Sequence, residues 1–236
     1  MGIVRGSVSV ILLVLFWQGV VAFFHLPNFI LPSPWLVYEA LVHHAHLIFS
    51  QSLVTMLEMF VGLVVGIVLG VTAAIVILLF EPLKSWLLPV LLISQAIPTF
   101  AIAPLLVLWF GFGVASKIVC VALMTFFPIT SNFFDGLRET PQAYLDLSVI
   151  NRASRWREFL LLRLPAARQK FLSGLRIAVV IAPIGAVVSE WVGASSGLGY
   201  LMLQSNARMQ VDLMFAALLV LVVITVALYF LVDCLE

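Results

Sequence analysis

Six long apolar stretches constrain what this chain can fold into more than any other feature of its sequence. A helix needs about 20 mostly apolar residues to cross the hydrocarbon core of a membrane. Hydrophobic residues make up 64% of the chain and charged residues 10%, which is more apolar surface than a soluble core of this size can bury. We predict an all-α polytopic membrane protein, one domain over 1–236, with about six spans at 7–25, 53–80, 86–110, 114–134, 171–192 and 212–232.

Three of these windows carry further signals. The first is longer than the apolar region of a typical signal peptide and has no small-residue cleavage site, so we interpret it as a retained span. Prolines in the third window, Pro98 among them, predict a kink or a break. In the second window Gly62, Gly66 and Gly70 recur every fourth residue. This ridge predicts close helix packing, either within the chain or between two copies of it.

The distribution of Lys and Arg predicts the orientation, because cytoplasmic loops are enriched in basic residues. Nine basic residues, seven of them between Arg138 and Lys170, fall on one side of the predicted membrane, and Lys117 and Arg208 fall on the other. This pattern predicts cytoplasmic termini and a large cytoplasmic loop over 135–170. Since the basic residues are concentrated in one loop, the net charge of +1 gives no indication of nucleic-acid binding.

The segment between the first two windows, residues 33–50, is too polar to span. Ser33 is a suitable helix cap and Pro34 suits the first helical position, so we predict an interfacial helix. His43 and His46 would share a face of this helix, which raises the question of a metal site. No cysteine or second carboxylate lies nearby in the sequence, and we therefore favour a solvated surface over a metal site.

The basic loop contains two predicted helices. The first covers 141–151, and the second covers 154–163, where Ser154 serves as its cap and the pair Leu164-Pro165 ends it. Together they form a helix–turn–helix with both apolar and basic faces. This pattern is typical of a docking surface, either for membrane lipid or for another protein.

Asp146-Leu147-Ser148, Arg152, Leu162 and Leu164-Pro165 keep the spacing of a known pattern, Glu-Ala-Ala, Gly, Ile and Leu-Pro. The loop thereby resembles the "EAA" loop of ABC-importer permease subunits. Ala153-Ser154-Arg155-Trp156 resembles the form common in the taurine, sulfonate and nitrate group of these permeases. The resemblance implies that the first loop helix contacts an ATPase and that Trp156, Leu164 and Pro165 hold the loop against the spans. The implied coupling residues are Asp146, Leu147, Ser148, Arg152, Ala153, Trp156, Leu164 and Pro165.

The sequence departs from that pattern at several positions. Leu147 and Ser148 replace two alanines, and Arg152 replaces a glycine. A left-handed arginine at this position costs about 1 kcal/mol; otherwise the turn changes shape.

The resemblance also implies the partners: a second permease copy, two ATPase subunits and an external substrate-binding protein at a bacterial inner membrane. The chain contains no G-x-x-x-x-G-K-[ST] sequence, so it has no P-loop to hold ATP phosphates. We expect ATP and Mg to bind the partner ATPase, and we expect this chain to be neither an enzyme nor the holder of a cofactor.

Polar residues within the spans are candidates for the translocation path, because ionisable groups are costly there. Glu58 and Glu190 lie toward the outer ends of their windows, where they could line a path or simply reach the interface. Gln95 and Thr99 flank a proline and could line the path or bond to a neighbouring helix. The sequence GASSGLGY at 193–200 predicts an external turn or gate.

Residues 140–147 and 182–219 resemble permeases proposed to import hydroxymethylpyrimidine or related thiamine precursors. Taurine, sulfonate or nitrate is the nearest rival substrate. A secondary transporter driven by an ion gradient is a second hypothesis. It would need buried carboxylates or broken helices near the midplane, usually in two related repeats, and the sequence shows no convincing repeat. No Ser/His or paired-Asp arrangement at membrane depth supports an intramembrane enzyme.

Overall fold

A computed structural model describes residues 2–80, 82, 85, 86, 89, 93 and 97–235. These residues form helices and turns and no strand, which confirms the predicted all-α class. The helices are α1 (Gly2–Phe24), α2 (Pro34–His43), α3 (Ala45–Leu79), α4 (Thr99–Phe110), α5 (Val114–Arg138), α6 (Gln142–Ile150), α7 (Arg155–Glu158), a π-helical turn (Phe159–Arg163), α8 (Leu164–Ala166), α9 (Arg168–Gly193), α10 (Leu198–Ala207) and α11 (Val211–Asp233).

Four of the described helices, α3, α5, α9 and α11, are long and apolar enough to cross a membrane. Two shorter apolar helices, Val8–Phe24 within α1 and Thr99–Phe110, fall in the first and third predicted windows. The third window breaks at Pro98, as its prolines predict, and α4 begins at the next residue. Much of this window before Ile97 lies outside the described residues.

The second span starts earlier than predicted. Ser33 caps α2 through its Oγ, which accepts a hydrogen bond from the Leu36 N–H at 3.4 Å, but α2 ends at His43. The rest of the predicted interfacial helix forms the first turns of α3 instead. This happens because one face of the segment is buried, with Ile48 3% and Ser52 5% exposed.

The glycine ridge of α3 packs within the chain. α5 lies between α3 and α9 and packs along both. A Cβ atom added to Gly62 would lie 2.5 Å from Val121 Cβ, and one added to Gly66 would meet Thr125 Oγ1. One added to Gly70 would lie 2.9 Å from a carbonyl oxygen of α5. The ridge is therefore the contact surface between α3 and α5.

The second loop helix does not end at Leu164-Pro165, contrary to prediction. The chain continues from α7 through the π-helical turn into α8, which ends at Ala166. Pro165 lies in the first turn of α8, where its missing N–H removes no helical hydrogen bond. The helical path from Arg155 therefore leads almost without interruption into α9.

We predict that Gly66→Ala destabilises the protein by about 1–3 kcal/mol, because the new methyl group must displace α5 or the Thr125 side chain. Gly19→Ala is the matched control, since an added Cβ there meets nothing within 4 Å. Thermal unfolding followed by detergent size-exclusion chromatography measures both. Equal midpoints for the two variants would contradict this packing.

Candidate functional site

The Glu158 carboxylate connects α6 with the end of α5. It bonds to Ser148 of α6 and to Arg163, which in turn bonds to the Leu137 carbonyl of α5. Ser148 Oγ lies 2.9 Å from Glu158 Oε2 and 2.8 Å from the Leu145 carbonyl oxygen, so its one proton is shared between them. Arg163 donates to Glu158 Oε1 from Nε at 2.8 Å and from Nη2 at 2.7 Å. Its Nη1 donates to the Leu137 carbonyl at 3.2 Å. We name Ser148, Glu158 and Arg163 the loop tether.

The Glu158 carboxylate of the loop tether stays ionised at neutral pH. Burial acts to raise the pKa of Glu158. The hydrogen bonds from Arg163 and Ser148, with the charges of Arg163 and Arg155, outweigh burial and hold this pKa below its ordinary value. The ionised Glu158 carboxylate therefore stabilises the folded protein fully above the ordinary glutamate pKa of about 4.3. This stabilisation is lost only as the pH falls through the lowered pKa.

The predicted coupling residues cluster on and after α6. Asp146 is exposed and accepts a hydrogen bond from Gln142 Nε2 at 3.0 Å. Arg152 has a φ of +49°, so the turn keeps the left-handed backbone for which a glycine would be suited. The Ala153 N–H closes this turn on the Ser148 carbonyl at 2.9 Å. The side chain of Leu147 lies outside the described part of the chain.

The contacts between the loop and the spans differ from those predicted. Trp156 is 60% exposed, Leu164 is 38% exposed and Pro165 is also exposed. The buried contacts are made by Phe159 and Ala167, which pack with the ends of α3 and α5. Trp156 reaches this cluster through Phe159, on which its ring stacks at a centroid distance of 5.6 Å. The prediction that Trp156, Leu164 and Pro165 hold the loop is thereby corrected.

A second polar cluster lies at the opposite end of α5, at the start of α10. Glu190 is 1% exposed, and its Oε2 accepts hydrogen bonds from the N–H groups of Gly199 at 2.5 Å and Tyr200 at 3.3 Å. Thr55 donates to Glu190 Oε1 at 2.7 Å and accepts from the Leu198 N–H at 2.7 Å. These side chains satisfy N–H groups that a helix start leaves without partners.

The same cluster includes Gln51, whose Oε1 accepts a hydrogen bond from the Gly197 N–H at 2.6 Å. We name Gln51, Thr55 and Glu190 the helix clamp. Gly197 has a φ of +110°, and a Cβ there would overlap the Glu190 carboxyl group. The predicted turn at 193–200 is thus fixed by its hydrogen bonds to α3 and α9.

Glu58 and Lys117 complete this end of the protein. Glu58 is 2% exposed and its side chain contacts Glu190, so the alternative that these two carboxylates reach the interface is wrong. Lys117, assigned by the charge distribution to the external side, is also 2% exposed. Its Nζ donates to the carbonyls of Phe112 at 2.8 Å and Gly113 at 3.1 Å, and to that of Gly193. Gly193 is the last residue of α9, where a cation interacts favourably with the helix dipole.

The other path candidates are not part of this cluster. Thr99 lines a separate cavity of about 260 Å³ between α4, α5 and α9, together with Cys120, Met124 and Ile184. Gln95 lies outside the described residues. The structure therefore brings Glu58 and Glu190 together and places Thr99 elsewhere.

Comparison with known proteins identifies the family. Residues 66–236 match the family described as "Binding-protein-dependent transport system inner membrane component". The chain belongs to this family. It is a multi-pass inner-membrane permease of the ABC-importer type, a family that implies an ATPase and a binding protein as partners.

Several relatives carry more specific names. The permease is 55% identical to a probable ABC transporter permease protein of Haemophilus influenzae, over 94% of this chain and 90% of that one. It is 40% identical to the formylaminopyrimidine transport permease protein ThiX of Halalkalibacterium halodurans, over 73% and 69%. It is 36% identical to the riboflavin transport system permease protein RibX of Chloroflexus aurantiacus, over 97% and 86%. The Bacillus subtilis permease SsuC, named for aliphatic sulfonates, is 28% identical over 94% and 82%.

A solved structure shares the fold. A chain of the MetNI methionine ABC transporter, in an inward-facing conformation, superposes with a TM-score of 0.63 at 20% identity. The match covers 87% of this permease and 96% of that chain.

Sequence reasoning missed four of the polar residues at the two ends of the permease: Gln51, Thr55, Glu158 and Arg163. One signal could have revealed the first two. Gln51, Thr55 and Glu58 are spaced four and three residues apart, which places them on one face of an otherwise apolar helix. Glu158 and Arg163 are five apart, and the π-helical turn brings them together. Ordinary helical spacing does not predict that pairing.

We predict that Glu190→Gln loosens the start of α10. The amide would place its own NH2 group, a hydrogen-bond donor, where the Gly199 and Tyr200 N–H groups need an acceptor. A buried donor without a partner costs about 1–3 kcal/mol. Hydrogen exchange over 197–207 should accelerate about tenfold or more. Glu139→Gln, at an exposed residue whose carboxylate pairs with Lys170, is the control and should leave this exchange unchanged. Unchanged protection in Glu190→Gln would contradict the role of the clamp.

Proposed function

We propose that two copies of this permease form the path of an ATP-driven importer, with two ATPase subunits bound at the basic loop. An external binding protein would deliver the solute at the opposite face. Family membership supports the subunit classes. The seven basic residues between Arg138 and Lys170 support a cytoplasmic loop and cytoplasmic termini.

The observation that carries this proposal is the exposed apolar face of α6. Tyr144, Val149 and Ile150 are 50%, 75% and 76% exposed in a segment outside the spans. Apolar side chains exposed in such a place mark a protein contact. Asp146 lies on the same short helix and adds a charge at its edge. An amphipathic helix of this kind fits a groove on a partner.

The loop tether provides the route by which movement of the ATPase reaches the spans. A displacement of α6 acts on Ser148, then through Glu158 and Arg163 on the Leu137 carbonyl near the end of α5. α5 extends about 30 Å from there to Lys117, which contacts the end of α9. The permease is then a two-state element whose equilibrium is shifted by ATP binding to its partner.

For the solute we propose a small heterocycle of the thiamine-precursor pyrimidine class. The 40% identity to a formylaminopyrimidine permease supports this class over aliphatic sulfonates, whose permease is 28% identical. The 36% identity to a riboflavin permease is consistent with a heterocyclic solute. Taurine, sulfonate or nitrate transport is the rival within the same importer class.

A gradient-driven carrier has one observation in its favour, the buried contact between Glu58 and Glu190. Carriers of that type use buried carboxylates near the midplane, usually in two repeats. In this permease the pair adjoins the helix clamp, where Glu190 accepts hydrogen bonds from α10. The pair therefore has a structural role, and the importer remains our proposal.

We predict that Val149→Asp with Ile150→Asp abolishes co-purification of the ATPase and weakens its binding by at least about 30-fold, because the buried centre of an interface dominates affinity. Glu158→Gln should retain the ATPase but lose solute-stimulated ATP hydrolysis, because it breaks the loop tether. Leu161→Asp, at a 70% exposed apolar residue outside α6, is the matched control. If the double variant still binds the ATPase normally, α6 is not the docking helix.

The solute class can be tested by uptake. Cells containing the permease, its ATPase and its binding protein should accumulate labelled formylaminopyrimidine or hydroxymethylpyrimidine. Excess unlabelled pyrimidine should compete, whereas excess taurine should not. The Val149→Asp, Ile150→Asp variant serves as the coupling-deficient control. Competition by taurine, with no effect of pyrimidines, would favour the rival assignment.

A further inference from the structure

A cavity of about 380 Å³ lies where α3 and α5 end, next to the loop tether. Its walls combine three arginines and one carboxylate with apolar side chains. Among the described residues, its lining consists of Ile77, Leu78, Leu79, Phe134, Arg138, Arg155, Glu158, Phe159 and Arg163.

The charges of this cavity do not cancel. Glu158 is engaged by Arg163 at 2.7 Å, which neutralises one of the three cations. Arg138 and Arg155 are exposed, and within the described part of the chain neither guanidinium group makes a hydrogen bond or an ion pair within 4 Å. Two positive charges are therefore available to one anionic group placed between them.

The apolar wall of the cavity continues onto the surface of a candidate span. Leu79 lines the cavity and is 45% exposed, and the next residue, Phe80, is 58% exposed. Trp156 stacks on the cavity residue Phe159 and is 60% exposed. Tryptophan is enriched at the level of lipid headgroups. The cavity thus opens both to the water phase and to the apolar surface of α3.

We propose that this cavity binds the headgroup of an anionic phospholipid. The phosphate lies between Arg138 and Arg155, and an acyl chain runs from Leu79 back along the apolar surface of α3. Basic pockets between the ends of spans are known positions for such headgroups. An acidic protein side chain would satisfy the arginines but would leave the exposed apolar wall without a partner. A phospholipid satisfies both.

This site places a lipid phosphate beside the loop tether. Arg163 lines the cavity and also bonds to Glu158 and to the Leu137 carbonyl. A bound phosphate therefore adds a negative charge near the residues that connect α6 to α5.

The test is native mass spectrometry of the full-length permease, purified in detergent with whichever subunits remain bound. The permease is titrated with dioleoyl phosphatidylglycerol and, separately, with dioleoyl phosphatidylcholine. We expect the wild type to prefer the anionic lipid. Arg138→Gln with Arg155→Gln should weaken that binding by about 30-fold, because each basic residue contributes about 1 kcal/mol toward an anionic lipid.

Two further variants make the result decisive. Arg157→Gln is the matched control, since this exposed arginine of α7 does not line the cavity, and it should retain the wild-type preference. Arg138→Lys with Arg155→Lys keeps both charges and should retain most of the preference even if the glutamine variant folds poorly.

Equal binding of the two lipids by the wild type would overturn the proposal. So would an anionic-lipid preference that the Arg138→Gln, Arg155→Gln variant retains. If that variant instead loses the ATPase while its lipid preference is unchanged, the cavity is part of a protein interface. Since ATPase binding and lipid binding are measured separately, failure of this proposal is distinguishable from failure of the importer proposal.

Discussion

The close approach of α3 to α5 is the constraint on which the rest of this permease depends. Gly62, Gly66 and Gly70 leave no room for even a methyl group between the two helices. That approach makes α5 the central helix, with α9 on its other side. It also fixes which residues meet at each end. The start of α3 brings Thr55 to Glu190, and its last turns bring Ile77 to the cluster beneath the loop.

Both ends of α5 carry their polar groups in the same manner. Three of these charges bond to backbone groups of a neighbouring helix: Arg163 to a carbonyl of α5, Lys117 to the end of α9, and Glu190 to the start of α10. A charge in an apolar protein is tolerated when such partners replace water. These bonds form at helix ends because only there are backbone N–H and C=O groups without partners.

The sequence predicted well those features that depend on local patterns. These features are the all-α class, the break at Pro98, the Ser33 cap and the glycine ridge. They follow from apolar length, proline chemistry and residue spacing. Contacts between distant segments were not predictable in this way. The burial of Lys117 was not predicted, because it depends on the ends of α4 and α9. Phe159 replaced Trp156 as the loop's anchor, because its burial depends on contacts with the ends of α3 and α5 that lie far away in the sequence.

The arrangement of the loop separates two tasks between different side chains. In the importer that we propose, the face that recognises the ATPase consists of exposed residues such as Val149 and Ile150, whereas transmission to α5 runs through Ser148, Glu158 and Arg163. Substitutions on the exposed face leave the hydrogen bonds of the tether intact. If the ATPase binds this face as we propose, a lineage of such permeases can change which ATPase it uses, or share one ATPase among several solute systems, while its internal mechanism stays constant.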